Sequence, residues 1–583
     1  MLVGSAHPTR IILSPRKAFE LDTIQPRRAR RGDKGRGATT SSRRLLKGAI
    51  RIPLMLVSMH ALAALALADA PSVQYLFPAG GQRGQTVEVT VAGTLAHWPA
   101  QVWVDRPGVD VSAADEKGKL KVTIAADAVP GLYWLRVYDA EGSASPQAFV
   151  VGTVPEVLEQ EPNNETKSPQ TLGTQAAVVN GRITPAGDVD VFAVTLTRGQ
   201  TLVASLEAHE TLASPCDAVL QVVSPRGIVL AENDDERGLD PQLTFTAPAD
   251  GVYLVRAFAF PASPDTAIRL AGNEAYIYRL TITSGAFLDA AMPLALTRGA
   301  TSPIEAFGWN IPDATKTRSL APAVGAATVE LFDPAWAGVY LVPVEPHATP
   351  VESEPNGPEK PQRVEPPCTI SGRIGVPRDR DVFSFIATKG QAFLFQIESR
   401  SLGYPLDAVL DVSDAANQSL ARIDDVGPNA DAELIFTAPA DGEFRLTVSD
   451  LYRHGGPRYH YRLRAVQLTG DFALSVETHA LAISAGAPLE IPIAVERRHG
   501  FADEITFNVE GLPAGVTQAQ VKSLPGDDTA KAVKITLTAT EGSRSARVRI
   551  IGQSSGTVPR THAATAALAG RPARTAELWL TVK

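Results

Sequence analysis

Glu159-Gln160-Glu161-Pro162-Asn163-Asn164, followed by Gly187-Asp188-Val189-Asp190-Val191-Phe192, is the stretch whose reading decides the fold. It occurs twice. Glu352-Ser353-Glu354-Pro355-Asn356 precedes Asp379-Arg380-Asp381-Val382-Phe383 at nearly the same interval. Further pairs follow in the same order. Asp217-Ala218-Val219-Leu220 answers to Asp407-Ala408-Val409-Leu410, and Thr246-Ala247-Pro248-Ala249-Asp250-Gly251 to Thr437-Ala438-Pro439-Ala440-Asp441-Gly442. Tyr276-Ile277-Tyr278-Arg279-Leu280 answers to Tyr459-His460-Tyr461-Arg462-Leu463. An ordered series of matches at an offset of about 183–193 residues is a duplication rather than shared composition.

Outward from the repeats the chain reads as strands and turns. Thr86–Val91, Lys119–Ile124 and Leu489–Val495 alternate apolar with polar residues, and Gly-Pro-rich segments separate such runs. Pro78 to Gly84 with Gly93 is echoed by Pro293 to Gly299 with Gly308, about 215 residues on, so two tandem pairs of domains are expected. The expected fold class is all-β: a multidomain chain of tandem β-sandwiches, immunoglobulin-like and jelly-roll-like. The expected layout is a basic leader and signal peptide over 1–68, an immunoglobulin-like sandwich over 71–154 and the first repeat over 155–284. A short immunoglobulin-like domain over 285–350, the second repeat over 351–468 and a last immunoglobulin-like sandwich over 469–583 follow.

The first 51 residues hold thirteen basic and three acidic residues, and an apolar run from Ile52 ends in Ala66-Leu67-Ala68. That is the pattern of a secretory signal peptide cleaved near Ala68. A membrane anchor is the rival reading, although the run is short for a span. Translation from Met55, or a twin-arginine signal at Ser42–Lys47, are further readings of the same leader. Cleavage would move the net charge from −8 to near −18, which argues against nucleic acid and favours a divalent cation as a bound partner. The localisation expected is secreted, periplasmic or cell surface, with no membrane span after cleavage. Cys216 and Cys368 fall at non-equivalent places in the two repeats and are expected to be independent, partly buried thiols.

Two readings compete for the carboxylate-amide groups. Calcium takes 6–8 hard oxygen ligands with forgiving geometry, and Glu159, Glu161, Asn163, Asn164, Asp188 and Asp190 offer such oxygens from two points of the chain. Alternatively they are a solvated linker and a turn cap; the repetition favours the cation. Asn233-Asp234-Asp235 and Asp424-Asp425 read as turns. The tyrosine pairs Tyr276/Tyr278 and Tyr459/Tyr461 read as core rather than as a polymer-binding strip. Tyr452, His454 and His460 are read as candidates for exposure in the second repeat. No G-x-S-x-G, H-E-x-x-H or phosphate-binding glycine loop occurs, so a non-catalytic protein is expected.

The set Glu-x-Glu-Pro-Asn-Asn, Asp-x-Asp-Val-Phe and Thr-Ala-Pro-Ala-Asp-Gly-x-Tyr resembles the bacterial pre-peptidase C-terminal domain family, over less than half of the chain. The resemblance implies a compact β-sandwich of the kind that trails secreted proteases, with collagen-binding relatives that hold calcium where the leading linker meets the sandwich. It implies Glu159, Glu161, Asn163, Asn164, Asp188 and Asp190 as ligands in the first repeat. Glu352, Glu354, Asn356, Asp379 and Asp381 are implied in the second, where Gly357 replaces the second asparagine. The function expected is that of a binding or adhesion protein with calcium-stiffened linkers, its partner an extracellular polymer or envelope protein. An accessory or targeting subunit of a secreted peptidase, or a diverged hydrolase, is the alternative.

Overall fold

The computed structural model describes residues 70–583 except 174, 264–268, 425–430, 557, 569, 570 and 572. The leader and Asp425 lie outside the described residues. No helix among the described residues is long and apolar enough to cross a membrane. The chain is all-β, and its strands assemble into successive two-sheet sandwiches.

In the first sandwich Ser72–Phe77, Thr86–Thr94, Lys119–Ile124 and Val109–Ala113 form one sheet. It faces Gly80–Gln82, Gln147–Gly152, Gly131–Tyr138 and Gln101–Val104 across a core of Val89, Leu120, Val122, Tyr133 and Phe149. The smaller sandwich at 287–345 repeats this start. Phe287–Met292 pairs with Ser302–Trp309 through the same kind of bulge that Ser72–Phe77 makes with Thr86–Thr94. At each bulge a glycine is required by contact: a Cβ on Gly93 or on Gly308 would sit 1.9 Å from the carbonyl oxygen of Ser72 or Phe287.

Both repeats place a five-stranded sheet against a second sheet. In the first, Gln170–Thr171, Asp190–Leu196, Gly251–Pro261, Cys216–Val223 and Val229–Asn233 lie side by side. In the second, Gln362–Arg363, Asp381–Ala387, Gly442–Asp450, Ala408–Asp414 and Ser419–Ile423 take the same order. Asp190–Leu196 and Asp381–Ala387 are buried on both faces apart from one residue each, so their near-continuous apolar reading is that of central strands. The linker runs parallel to the first strand of the opposite sheet in both: Glu156–Leu158 pairs with Ala176–Arg182, and Ala348 and Val351 bridge to Cys368 and Ser371. Cys216 and Cys368 are both free, and they are fully rather than partly buried.

Polar ties hold the sandwiches against one another. Arg106 pairs with Glu330 at 3.2 Å, and the Arg182 guanidinium lies 3.9 Å from the Phe77 ring. Arg136, 1% exposed, donates to the Glu577 carbonyl at 2.9 Å and meets His479 Nδ1 at 3.3 Å. The last sandwich, reached through this contact, also touches the first repeat, where Arg571 donates to the Thr211 carbonyl at 2.8 Å. The central tie is Asp289, which accepts from Arg237 at 3.1 Å, Gln242 at 2.9 Å and Arg458 at 2.8 Å. It thereby joins both repeats to the small sandwich between them.

His460 corrects an expectation: it is 1% exposed, wedged between Phe307 at 5.5 Å and Tyr404 at 5.3 Å between ring centroids. The strand that begins there turns it inward at the seam. Burial, with the charges of Arg373 and Arg458, pulls its pKa down to about 3. The unfolded chain titrates near 6.5, so the stability from the neutral ring is complete above that pH and lost as pH falls towards 3. Each pH unit costs about 1.4 kcal/mol in that window. The unfolding temperature should therefore drop between pH 6.5 and 5, and His460→Phe should flatten that limb in a thermal melt series.

Candidate metal centre

The linker and the turn before each central strand converge where the resemblance places them. In the first repeat Glu159, Glu161, Asp188 and Asp190 bring one carboxylate oxygen each within 4.8 Å of one another. Hydrogen bonds hold each carboxylate from behind. Arg182 N donates to Glu159 Oε2 at 2.6 Å, and Asn163 N to Glu161 Oε2 at 2.8 Å. Thr184 N and Val189 N donate to the two oxygens of Asp188, at 2.8 and 2.9 Å. Tyr278 Oη donates to Asp190 Oδ2 at 2.7 Å.

The oxygens on the other side have no partner. Glu159 Oε1, Asp190 Oδ1 and both side-chain polar atoms of Asn163 are buried without a hydrogen bond, and Asn163 and Asp190 are 0% exposed. Buried polar groups are ordinarily satisfied, and an orphaned carboxylate oxygen costs several kcal/mol unless neutralised. Burial, then the neighbouring Glu159, pushes the Asp190 carboxyl up to about 10; burial also raises Glu159 and Asp188. Without a cation the site has to hold a proton. The donor set is all oxygen, without histidine or cysteine, which suits calcium and not zinc.

The second repeat keeps part of this. Glu354, Asp379 and Asp381 group within 4.8 Å. Gly375 N and Arg380 N donate to Asp379 at 2.9 Å each, and Tyr461 Oη donates to Asp381 Oδ2 at 2.6 Å. The Asn356 side-chain oxygen, as oriented, faces only acceptors; turned over, its NH2 would donate to Glu354 Oε2 at 3.2 Å and Asp381 Oδ1 at 3.3 Å. That crowding of oxygens is what a cation resolves as well as an amide flip does. Burial, then the Glu352 charge, pushes Asp381 up to about 9.

Two expected ligands contact members of the clusters with groups of their own. Asn164 is exposed and turns its NH2 to Asp188 Oδ1 at 2.5 Å, so it supports a ligand rather than facing the centre. Glu352 is not one of the three grouped carboxylates, but its side chain meets Asp381, and Tyr461 Oη contacts its Oε2 at 3.3 Å. Two further pairs escaped the sequence reading. Tyr278 and Tyr461 are core residues, but their hydroxyls also wall the site. Gly181 and Gly372 make room for both neighbours: a Cβ there would lie 2.2 Å from Tyr278 Cζ or 2.3 Å from Tyr461 Cζ, and 2.7 Å from a Glu159 or Glu352 oxygen. The repeated Gly-Arg-Ile at 181–183 and 372–374 is the signal that would have found them. Asn233 Oδ1 accepts from Glu236 N in the turn that follows and from Gln242 N at the start of the next strand.

A family model described as the bacterial pre-peptidase C-terminal domain matches residues 188–259. A probable subtilase-type serine protease of Deinococcus radiodurans is 28% identical over 244 residues, which is 40% of this chain and 26% of that protein. The chain thus spans about a quarter of that relative's length. Among solved structures, the pre-peptidase C-terminal domain of the Bacillus anthracis collagenase aligns over 19% of this chain and 98% of its own, at 18% identity and a TM-score of 0.16. The Aeromonas hydrophila periplasmic inhibitor of g-type lysozyme aligns over 22% and 95%, at 19% identity and a TM-score of 0.15. Scores so low carry no argument of their own. The sequence match falls on the central strand and its carboxylates, and on that ground the first repeat of this chain contains a bacterial pre-peptidase C-terminal domain.

Proposed function

We propose that this protein works outside the cytoplasm as a non-catalytic binding or adhesion protein whose linkers are fixed by calcium. One observation carries the reading: the partnerless, fully buried oxygens of Asn163 and Asp190 beside Glu159, at the point where a linker meets its sandwich. When bound, calcium would supply the positive charge that this carboxylate group lacks. Glu159, Glu161, Asn163, Asp188 and Asp190 would hold it, tying the linker to the turn before the central strand. Glu354, Asn356, Asp379 and Asp381 would do so more weakly in the second repeat.

A second reading is favoured by the similarity to a subtilase-type protease: the chain would accompany or target a secreted peptidase. Assays of the purified protein on casein, collagen and polysaccharides separate it from the alternative of a diverged hydrolase; turnover abolished by a single substitution would favour the enzyme.

A cation that binds only the folded form raises stability by RT ln(1 + [L]/Kd). With a Kd in the range of extracellular calcium modules, 10 mM calcium should raise the unfolding temperature by about 3–10 °C over a chelator control. Scanning calorimetry checks this, and coincident melts with and without chelator would sink the calcium reading.

A further inference from the structure

The second repeat displays a surface of its own beside the turn that leads into its central strand. Asp450, 5% exposed, accepts from Tyr452 N at 3.0 Å, His454 N at 2.7 Å and Asp407 N at 3.2 Å. Gly456 N donates to the Ile374 carbonyl at 2.9 Å, and Arg378 N to the Arg453 carbonyl at 3.0 Å. Segments 374–380 and 450–458 are therefore locked together by their own hydrogen bonds. What they display is unusual for a locked loop pair. Tyr452 is 65% exposed and stacks beside the exposed His454, with ring centroids 6.0 Å apart and planes 27° from parallel. Val376, 62% exposed, lies on the same segments.

The two arginines joined across the loops both adopt left-handed backbone, with φ of 71° at Arg378 and 61° at Arg453. That conformation is disfavoured for any residue with a Cβ. The first repeat has Gly187, φ 93°, at the position of Arg378, and Val189 at that of Arg380. The second repeat thus keeps an arginine where the duplicated backbone calls for glycine. Arg378, Arg380 and Arg453 are all exposed and pair with no acid among the described residues, although the chain as a whole carries a net charge of −8. Strain held at an exposed position is a pointer to function.

We propose that this loop pair is a docking site for a carboxylate-bearing polysaccharide. The exposed Tyr452 ring, braced by the stacked His454, offers a flat apolar face for a sugar ring, and the planar guanidinium fork matches a carboxylate in bidentate fashion. An acidic peptide could also engage the arginines, but it offers no flat ring face to the exposed Tyr452 ring, so the polysaccharide is the better fit and tetraglutamate the control that separates the two. The site names a ligand class for the binding role proposed above; of the cation ligands only Asp379 lies on its segments, and the docking face does not use that carboxylate, so either reading can fail alone.

The test is titration of the full chain, in chelator, with tetragalacturonate, a neutral galactose tetramer and tetraglutamate as probes. The wild type should bind tetragalacturonate at least about tenfold more tightly than either control, a difference of about 1.4 kcal/mol. Tyr452→Ala should weaken that binding about tenfold or more. Arg378→Gly should weaken binding while raising the unfolding temperature, because glycine fits φ 71°; a merely structural arginine would give the opposite melt. Equal binding by wild type and Tyr452→Ala, equal binding of the neutral tetramer or the peptide, no binding up to millimolar concentration, or unchanged affinity in Arg378→Gly would each overturn the proposal.

Discussion

Asp190→Asn is expected to stabilise the calcium-free protein at neutral pH and to abolish its stabilisation by calcium. The two effects have opposite signs because the same carboxylate is a burden without a cation and a ligand with one. Its folded pKa of about 10 lies far above the usual value of 3.8, so this group's contribution is favourable only at acid pH and is lost as pH rises above 3.8. At pH 7 the penalty is on the order of 4 kcal/mol as an upper bound, at 1.36 kcal/mol per unit. An asparagine keeps the acceptor that Tyr278 needs and carries no charge. Thermal melts of wild type and Asp190→Asn, each with calcium and with chelator, read all four states. A variant that melts earlier than wild type in chelator would contradict this account of the site.

Asp289→Ala should be the most damaging single change at the seams between domains. Its side chain is 4% exposed and receives Arg237, Gln242 and Arg458, the last of which also contacts Glu236 and donates to the Gly403 carbonyl at 3.2 Å. Removing one member of a buried ion pair leaves the other without compensation and costs about 3–5 kcal/mol. Because the three partners come from both repeats while Asp289 belongs to the small sandwich, the loss falls on docking between domains and not on any one core. A calorimetric scan should therefore resolve into earlier, separated transitions. A single transition at the wild-type temperature would show that the seams are held elsewhere.

The repeats were readable because duplication leaves ordered matches: the Asp-x-Asp-Val-Phe strands became the central strands of two sheets of identical order. Gly93 and Gly308 were visible as anchors at a fixed offset, and the contact that demands them, a carbonyl oxygen across the bulge, was not. The cation ligands were legible as residue types but not as geometry. Sequence gives no way to see that Asn164 donates its amide to Asp188, that Glu352 engages Tyr461, or that Tyr278 serves core and site together. His460 was misjudged because neighbouring Gly-Gly-Pro resembles an exposed turn, whereas the packing that buries it comes from Phe307 in another domain. Contacts between domains, Asp289 foremost, leave no local periodicity to read.

The central claim is that the linker of the first repeat closes on a calcium ion. Isothermal titration of calcium into chelator-stripped wild type and Asp190→Asn measures it most directly. One stoichiometric site in the wild type that disappears in Asp190→Asn, with any weaker second site retained, is the predicted result. Absence of calcium binding in the wild type, or an unchanged isotherm in the variant, would contradict it.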